Sequence, residues 1–570
     1  MPIPHLTTFT AVALLAAPAG APRRSQLPAT HAAPQHAGRF SASERAAAAR
    51  ITPAAISGPL RFLSDDLLEG RKPGSTGAQL AVSYLAAELE GAGIQPGVPG
   101  VDGGQPSFLQ PVPLVSLRGR VPREIAFQRD GRSVQLTALR GVESDLRIDP
   151  DAHVDLARVR DAELVFAGYG IVAPEHGWDD YKDADVRGKV VVLLNFNPPF
   201  AGEGVRLWYG RWDYKYLTAA AHGAAGALIV HTTASAGYPW QVLSSSADGV
   251  RIDLPAGDEP RMQFQGWVTD EGAHKLADLA GRDLEELRAA AQQKSFRPVA
   301  LGVRTSFEMP IEQRTTPSAN VIGIIPGTDP QLRNEAVVYT AHWDHLGRDA
   351  SVPPGKDGIY NGALDNASGC AAILSIARAA QEAPPKRSLL FVFVTAEEQG
   401  LLGSRWFARH PVLAPGRIAA DINVDSVNRF GRTTDLGMMG LGKSSLDAVV
   451  REVAAGQGRT LHGDPFPDRG TFYRSDQFEL ARIGVPVVFV QGGPSFVGRP
   501  PGWGASMHQH YERHDYHQVT DEYHGDWDLA GAVEDAQLQL VVGLRVANAP
   551  SLPQWTPGDE FEKARKTAAR

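Results

Sequence analysis

From residue 320 onward the chain repeats one pattern: a short apolar run, a turn, a helical stretch and another apolar run. The runs are VIGIIPG, AVVYTAHWDH, LLFVFVTAEE, IAADINVDS and VPVVFVQGG, and SGCAAILSIARAAQEA and GLLGSRWFARH lie between some of them. A run without polar alternation suits a strand covered on both faces. Strand, helix and strand in turn predict an α/β domain, a mixed sheet with a largely parallel centre flanked by helices. That architecture restricts where chemistry is placed, because sites in such sheets form beyond the carboxyl ends of the strands.

Three of the runs end in polar residues. AVVYTA is followed by His342, Trp343, Asp344 and His345, LLFVFVTA by Glu397 and Glu398, and IAADINV by Asp425. The loop NGALDNASG adds Asp365 just before a helical stretch. Taken singly, each has an ordinary structural role. Asp365 with Asn366 and Ser368 suits a helix cap, and Glu397 and Glu398 suit the positive end of a helix dipole. Together they crowd carboxylates at one sheet edge, where like charges repel and desolvation adds to the cost. A cation removes that repulsion. Two zinc ions would do so through histidine nitrogen and carboxylate oxygen, with one carboxylate shared between them. A second histidine is available from SMHQHYERHDYHQVTDEYH, which holds His508, His510, His514, His517 and His524.

Composition closes off other readings. The single cysteine, Cys370, leaves no intramolecular disulfide and no cysteine-rich zinc module, and its place among Gly369, Ala371 and Ala372 reads as a small buried residue. A net charge of −8 offers no basic surface to nucleic acid. The start, MPIPHLTTFTAVALLAAPAGAP, has a short apolar run and the small-residue stretch Ala19-Gly20-Ala21. It reads as a signal peptide over 1–21, hence a periplasmic or secreted protein, and is too short to span a bilayer. Residues 22–45, rich in Ala, Pro, Arg and His, read as a linker. Residues 46–145 read as the N-terminal part of a catalytic domain and 301–550 as its main part. Between them, 146–300 reads as a β-rich inserted domain, and 551–570 reads as a C-terminal tail.

The order AHWDH, NGALDNASG, TAEEQGLLGS, NVDS and YHQVTDEY resembles the co-catalytic zinc aminopeptidase family, which includes aminopeptidase Y and, more distantly, glutamate carboxypeptidase II. FLSDDLLEGRKPGSTG and FYRSDQFELARIGVPVVFV extend the likeness over most of residues 50–545. The resemblance implies two zinc ions per chain. His342 and Asp425 would hold one, Asp365 would bridge both, and Glu398 and His517 would hold the other. His517 is preferred to His514 for its place after a tyrosine and before the DEY turn. Asp344 would orient His342, and Glu397, free of metal, would be the general base. Tyr516 would stabilise the oxyanion, its alternative being an aromatic that packs beside the site. The resemblance also implies a non-proline cis bond at Asp365–Asn366.

ELVFAGYGIVAP, GKVVVLL and AAAHGAAGALIV resemble a protease-associated domain, which implies a lid or substrate-selecting surface. Trp208, Tyr209, Trp212 and Tyr214 in RLWYGRWDYKY suit either a contact surface or core packing. The activity implied is that of a secreted or periplasmic zinc metalloaminopeptidase acting on peptides with a free N-terminus. A carboxypeptidase or dipeptidase on the same two-zinc site is the alternative, favoured by any basic cluster that grips a carboxylate; Arg405, Arg429 and Arg474 are available for that. A glutaminyl cyclase or an inactive binding scaffold stands further off, since every metal station and the base are present.

Overall fold

The computed structural model describes residues 40–100, 104–138, 143–198, 200, 202, 205–245, 250–353 and 355–568. The stretch read as a signal peptide and most of the linker therefore lie outside the described residues. The last residues of that linker instead open a helix, Ala42–Ala48, because Ser41 and Glu44 form a reciprocal cap at its start.

Four strands form the parallel centre of the main sheet, in the order Ser388–Val394, Ala336–His342, Ile418–Asn423 and Val487–Gly492. Antiparallel neighbours close each side: the C-terminal half of Val299–Ile325 against the first, and Asp435–Met439 against the last. This is the expected mixed sheet with a parallel centre. Period-two alternation sends Val337, Tyr339, Leu389, Phe391 and Phe393 into one core, under helices Ser368–Ala380 and Ala530–Asn548. The intervening Val338, Leu390, Val392 and Val394 fill the opposite core with Phe407 and Leu480, from helices Leu402–Arg409 and Gln477–Arg482. Both faces are covered, which is why these runs lack polar alternation. Among the described residues, no helix is long and apolar enough to cross a membrane.

A second sheet has its own cores. Leu156–Phe166, Val190–Leu194, Gly226–His231 and Phe264–Thr269 are successive parallel neighbours. Helices Trp212–Ala221, Asp270–Leu279 and Leu284–Ala291 contribute Ala219, Leu276 and Leu287 to its cores. The chain enters this sheet before residue 146. The hairpin Glu124–Arg129 with Arg132–Thr137 belongs here, because Ile125, Phe127 and Leu136 pack into this core. At the other end, Val299–Ile325 pairs with Leu156–Phe166 as far as Pro310, then crosses into the main sheet. Where it crosses, Ile311–Val321 pairs residue for residue with Leu109–Gly119, so the two chain crossings form one antiparallel ribbon.

The C-terminal stretch is no free tail. Trp555 and Phe561 are buried, the Trp555 indole donates to the Gly484 carbonyl at 2.9 Å, and Arg565 donates to the Ile418 carbonyl at 2.9 Å. Two aromatic anchors give 551–568 enough apolar surface to dock.

Candidate active site

Strand register brings the polar residues together. His342 ends its strand opposite Val394, and Thr340 lies opposite Asn423. Counting on from those pairs, Glu397, Glu398 and Asp425 leave the same edge as His342. Asp365 arrives from the turn before helix Ser368–Ala380, and the carboxylate of Asp521 fixes that turn by accepting from the backbone N–H groups of Leu364 (3.0 Å) and Asp365 (3.1 Å). The Asp365–Asn366 peptide bond is cis.

Asp365 stands at the centre. Its Oδ1 is 3.2 Å from His342 Nε2, and its Oδ2 is 3.2 Å from His517 Nε2. His342 Nε2 also lies 3.4 Å from Asp425 Oδ1, and His517 Nε2 lies 3.1 Å from Glu398 Oε2. The five expected ligands thus form two sets of three that share one carboxylate. Each histidine nitrogen faces two carboxylate oxygens. His342 Nδ1 is 3.2 Å from the Asp344 carbonyl, to which it can donate only when it carries the ring hydrogen. In the neutral ring Nε2 is then a lone pair facing two anions, an arrangement that calls for a cation. Burial alone would push both imidazoles down. The surrounding acids, Glu397, Asp365 and Asp425 for His342 and Glu398 and Asp365 for His517, reverse that and hold both well above the usual histidine range. The nitrogen and oxygen donors fit zinc.

The adjacent glutamates separate in role. Glu398 turns one oxygen to His517 and the other to His345 Nδ1, at 2.6 Å. Among the described residues Glu397 forms no ion pair, and it lies within reach of the His342 cluster. Burial pushes its carboxyl well above the usual range; His342 opposes, and Glu398, Asp476 and Asp425 add to the rise. Asp344 lies beside His342 Nδ1. Its backbone carbonyl, rather than its carboxylate, is the nearer partner of His342; Oδ1 is 4.0 Å from Nδ1 and instead accepts from the Glu397 N–H at 3.1 Å. A residue two positions on from the histidine reaches it more easily through the main chain than through a short side chain. Tyr516 stacks on His517 with ring centroids 3.9 Å apart, and its oxygen accepts from Arg474 Nη2 at 3.0 Å.

Sequence reading passed over His345, Asp521 and Arg71. His345 lay in the AHWDH motif itself, Asp521 in the DEY turn, and Arg71 in EGRKPG. Cys370 is fully buried with Sγ 3.1 Å from the His342 carbonyl. His508, His510, His514 and His524 stand outside the cluster.

Two cavities meet at this centre, about 280 Å³ and about 340 Å³ in volume, and both are lined by Tyr238, Glu397, Arg474, Tyr516 and His517. The first is walled by Phe430, Met439, Phe466 and Met507. The second opens toward the second sheet, which supplies Arg206, Arg211 and Trp212. Of the four clustered aromatics only Trp212 reaches it; Trp208 packs on Phe478 and Tyr214 on Tyr209. Arg405 and Arg429 are engaged by Glu479 (3.1 Å) and Asp515 (2.7 Å).

Comparison with known proteins gives a likeness of fold and short stretches of sequence identity. The structure aligns with the aminopeptidase from Aneurinibacillus sp. strain AM-1 over 89% of this chain and 97% of that one, with a TM-score of 0.50 and 18% identity, a likeness of fold. Aminopeptidase YwaD of Bacillus subtilis is 36% identical over 94 residues, 16% of this chain and 18% of that protein. A "Probable zinc metalloprotease" of Pyrenophora tritici-repentis is 40% identical over 77 residues, 14% of this chain and 18% of that protein. The aligned stretches span less than a fifth of either relative. Residues 320–541 match the model of Peptidase family M28, and they contain all five of the expected ligands.

Proposed function

We propose that the protein is a zinc metalloaminopeptidase that removes N-terminal residues from peptides. The observation that carries this is Asp365, whose two oxygens face His342 and His517, each histidine facing a further carboxylate. The names of the relatives, a zinc metalloprotease and two aminopeptidases, support the choice of metal and of substrate end. His342, Asp365 and Asp425 would hold one zinc, and His517, Asp365 and Glu398 the other. Zinc bound there lowers the pKa of water to about 7 and polarises a peptide carbonyl.

The protein's own groups do the rest. Glu397, which forms no ion pair among the described residues, would take the proton of the attacking water and deliver it to the leaving amine. Because Arg474 donates to the Tyr516 oxygen, the phenol's own hydrogen is left for the carbonyl oxygen as it gains charge. Burial holds the Tyr516 phenol above its ordinary range, against His517 and Arg474, so it keeps that hydrogen at neutral pH.

The test counts metal per chain and compares aminoacyl anilides with N-blocked peptides. Two zinc ions per chain and cleavage only beside a free amine are expected. Glu397→Ala should keep the metal and lose about 10²–10⁴-fold in kcat. Cleavage confined to blocked peptides with a free carboxylate would make the protein a carboxypeptidase. Absence of both bound metal and hydrolysis would overturn the enzyme reading.

A further inference from the structure

Arg429 is a cation enclosed by rings. It lies in the turn after strand Ile418–Asn423, shortly past Asp425, and is 9% exposed. Its guanidinium carbon stands 5.0 Å from the Phe430 ring centroid, 5.2 Å from that of Trp527 and 5.3 Å from that of Tyr511. Three aromatic rings hold a desolvated guanidinium firmly and fix the direction of its fork. Its one carboxylate partner among the described residues is Asp515, whose Oδ2 accepts from Nη2 at 2.7 Å, while Nε has no partner. Asp515 is the first residue past helix Trp503–His514, and its N–H donates to the Tyr511 carbonyl at 2.8 Å. Just beyond it His517 has a φ of 57°, a conformation that a histidine keeps only where its flanks are fixed. Arg429 thus joins the turn that carries Asp425, from the first ligand set, to the helix end that carries His517, from the second.

We propose that Arg429 is a positioning residue for the second metal position: through Asp515 it holds the backbone that aims His517 at Asp365 and Glu398, so that its loss weakens one metal position and spares the other. This rests on the two-zinc reading above. The asymmetry follows from how each side is otherwise secured. On the Asp425 side, Gln491 donates to the Asp425 carbonyl at 2.8 Å, and Asn366 Oδ1 and Ser368 Oγ accept from the Ser426 and Val427 N–H groups at 3.0 and 3.2 Å. On the His517 side, the Asp515 carboxylate has no other ion pair among the described residues, and Tyr516 is tied to Arg474 only at the tip of its ring. The sign of the charge separates position from electrostatics. A guanidinium repels a metal cation, so deleting it favours the metal by Coulomb's law. Weaker binding on deletion therefore reports lost geometry.

The test has a metal-binding arm and a metal-free arm. Metal-free wild type, Arg429→Met, Arg429→Lys and Asp515→Asn are each titrated with zinc against a calibrated chelator, and with cobalt followed by visible absorption. In Arg429→Met one position should keep its wild-type affinity and the other should weaken about 10–100-fold, with a shifted cobalt spectrum at the weakened position. Arg429→Lys, which keeps the charge among the rings but loses the fork, should fall between. Asp515→Asn, which leaves the caged cation in place, should show the same selective loss and carries the comparison if Arg429→Met does not fold. Equal weakening of both positions, or affinities left unchanged, would overturn the proposal. In the metal-free protein, amide hydrogen exchange should quicken over residues 513–518 in the variants and stay as in wild type over 425–428. Wild type that takes up fewer than two metal ions would strike the two-zinc reading instead, and the exchange would then decide, unchanged rates over 513–518 overturning the role of Arg429.

Discussion

Glu397 and Glu398 are neighbours in the chain, yet one is neutralised by two histidines and the other is left with a raised proton affinity. The difference comes from what each carboxylate meets, and His345 is the deciding partner. By occupying Glu398 Oε1 it leaves Oε2 for the His517 side. His345→Ala should therefore weaken metal binding about 10–100-fold with every direct ligand intact. Competition with a calibrated chelator measures this, and unchanged affinity would remove His345 from the centre. At this scale most of the residues that meet around Asp365 were legible, because His342, Glu398 and Asp425 lie at or just past strand ends and Asp365 just before a helix. Asp521 was not, since it binds backbone amides 157 and 156 positions away and no spacing rule connects them. Nor was the contact of the Asp344 carboxylate with the Glu397 N–H, which depends on where the next strand's loop places a single N–H.

Among the elements, the loops that carry the ligands are tied down by a residue from the N-terminal segment. Arg71, 1% exposed, donates to the carbonyls of Trp343 (2.8 Å), Asn361 (2.6 Å), Gly362 (3.0 Å) and Leu63. It joins the turn after strand Ala336–His342 to the turn before Asp365. Arg71→Met would leave four carbonyls without this donor, and a loss of about 3–5 kcal/mol is expected in urea unfolding, together with weaker metal retention. A second prediction concerns Asp253. Burial would raise the Asp253 carboxyl, but Arg251, His153 and Arg261 outweigh it and hold Asp253 well below the usual carboxylate range. A carboxyl depressed in the folded state stabilises above its unfolded pKa of about 3.9 and loses that contribution as pH falls below it. The stability gap between wild type and Asp253→Asn should therefore be wide at neutral pH and narrow as pH falls below that value, read from urea midpoints. The strands themselves were legible, because apolar runs without alternation leave few other folds. The start of the insert was not, since the hairpin Glu124–Thr137 alternates like any half-buried ribbon and only its packing says which core owns Phe127.

Across the whole molecule, a single strand, Val299–Ile325, belongs to both sheets. Two cores that share a strand should melt together, so calorimetry is expected to show one transition, moved to lower temperature by chelation because bound metal stabilises only the folded state. Two separate peaks would show the cores to be independent. The α/β class was legible at this scale, whereas the shared strand was not, since no residue in it marks the point of transfer between sheets. The ribbon of Leu109–Gly119 with Ile311–Val321 has a further consequence. A module hung on loose linkers can swing aside to admit a bulky guest, whereas one mounted on a paired ribbon must break rungs of its ladder to do so. The distance between the second sheet and the cluster around Asp365 is therefore a fixed clearance. On the proposed function, that clearance would act as a gauge, admitting a frayed chain end and turning away a folded surface before any chemistry begins.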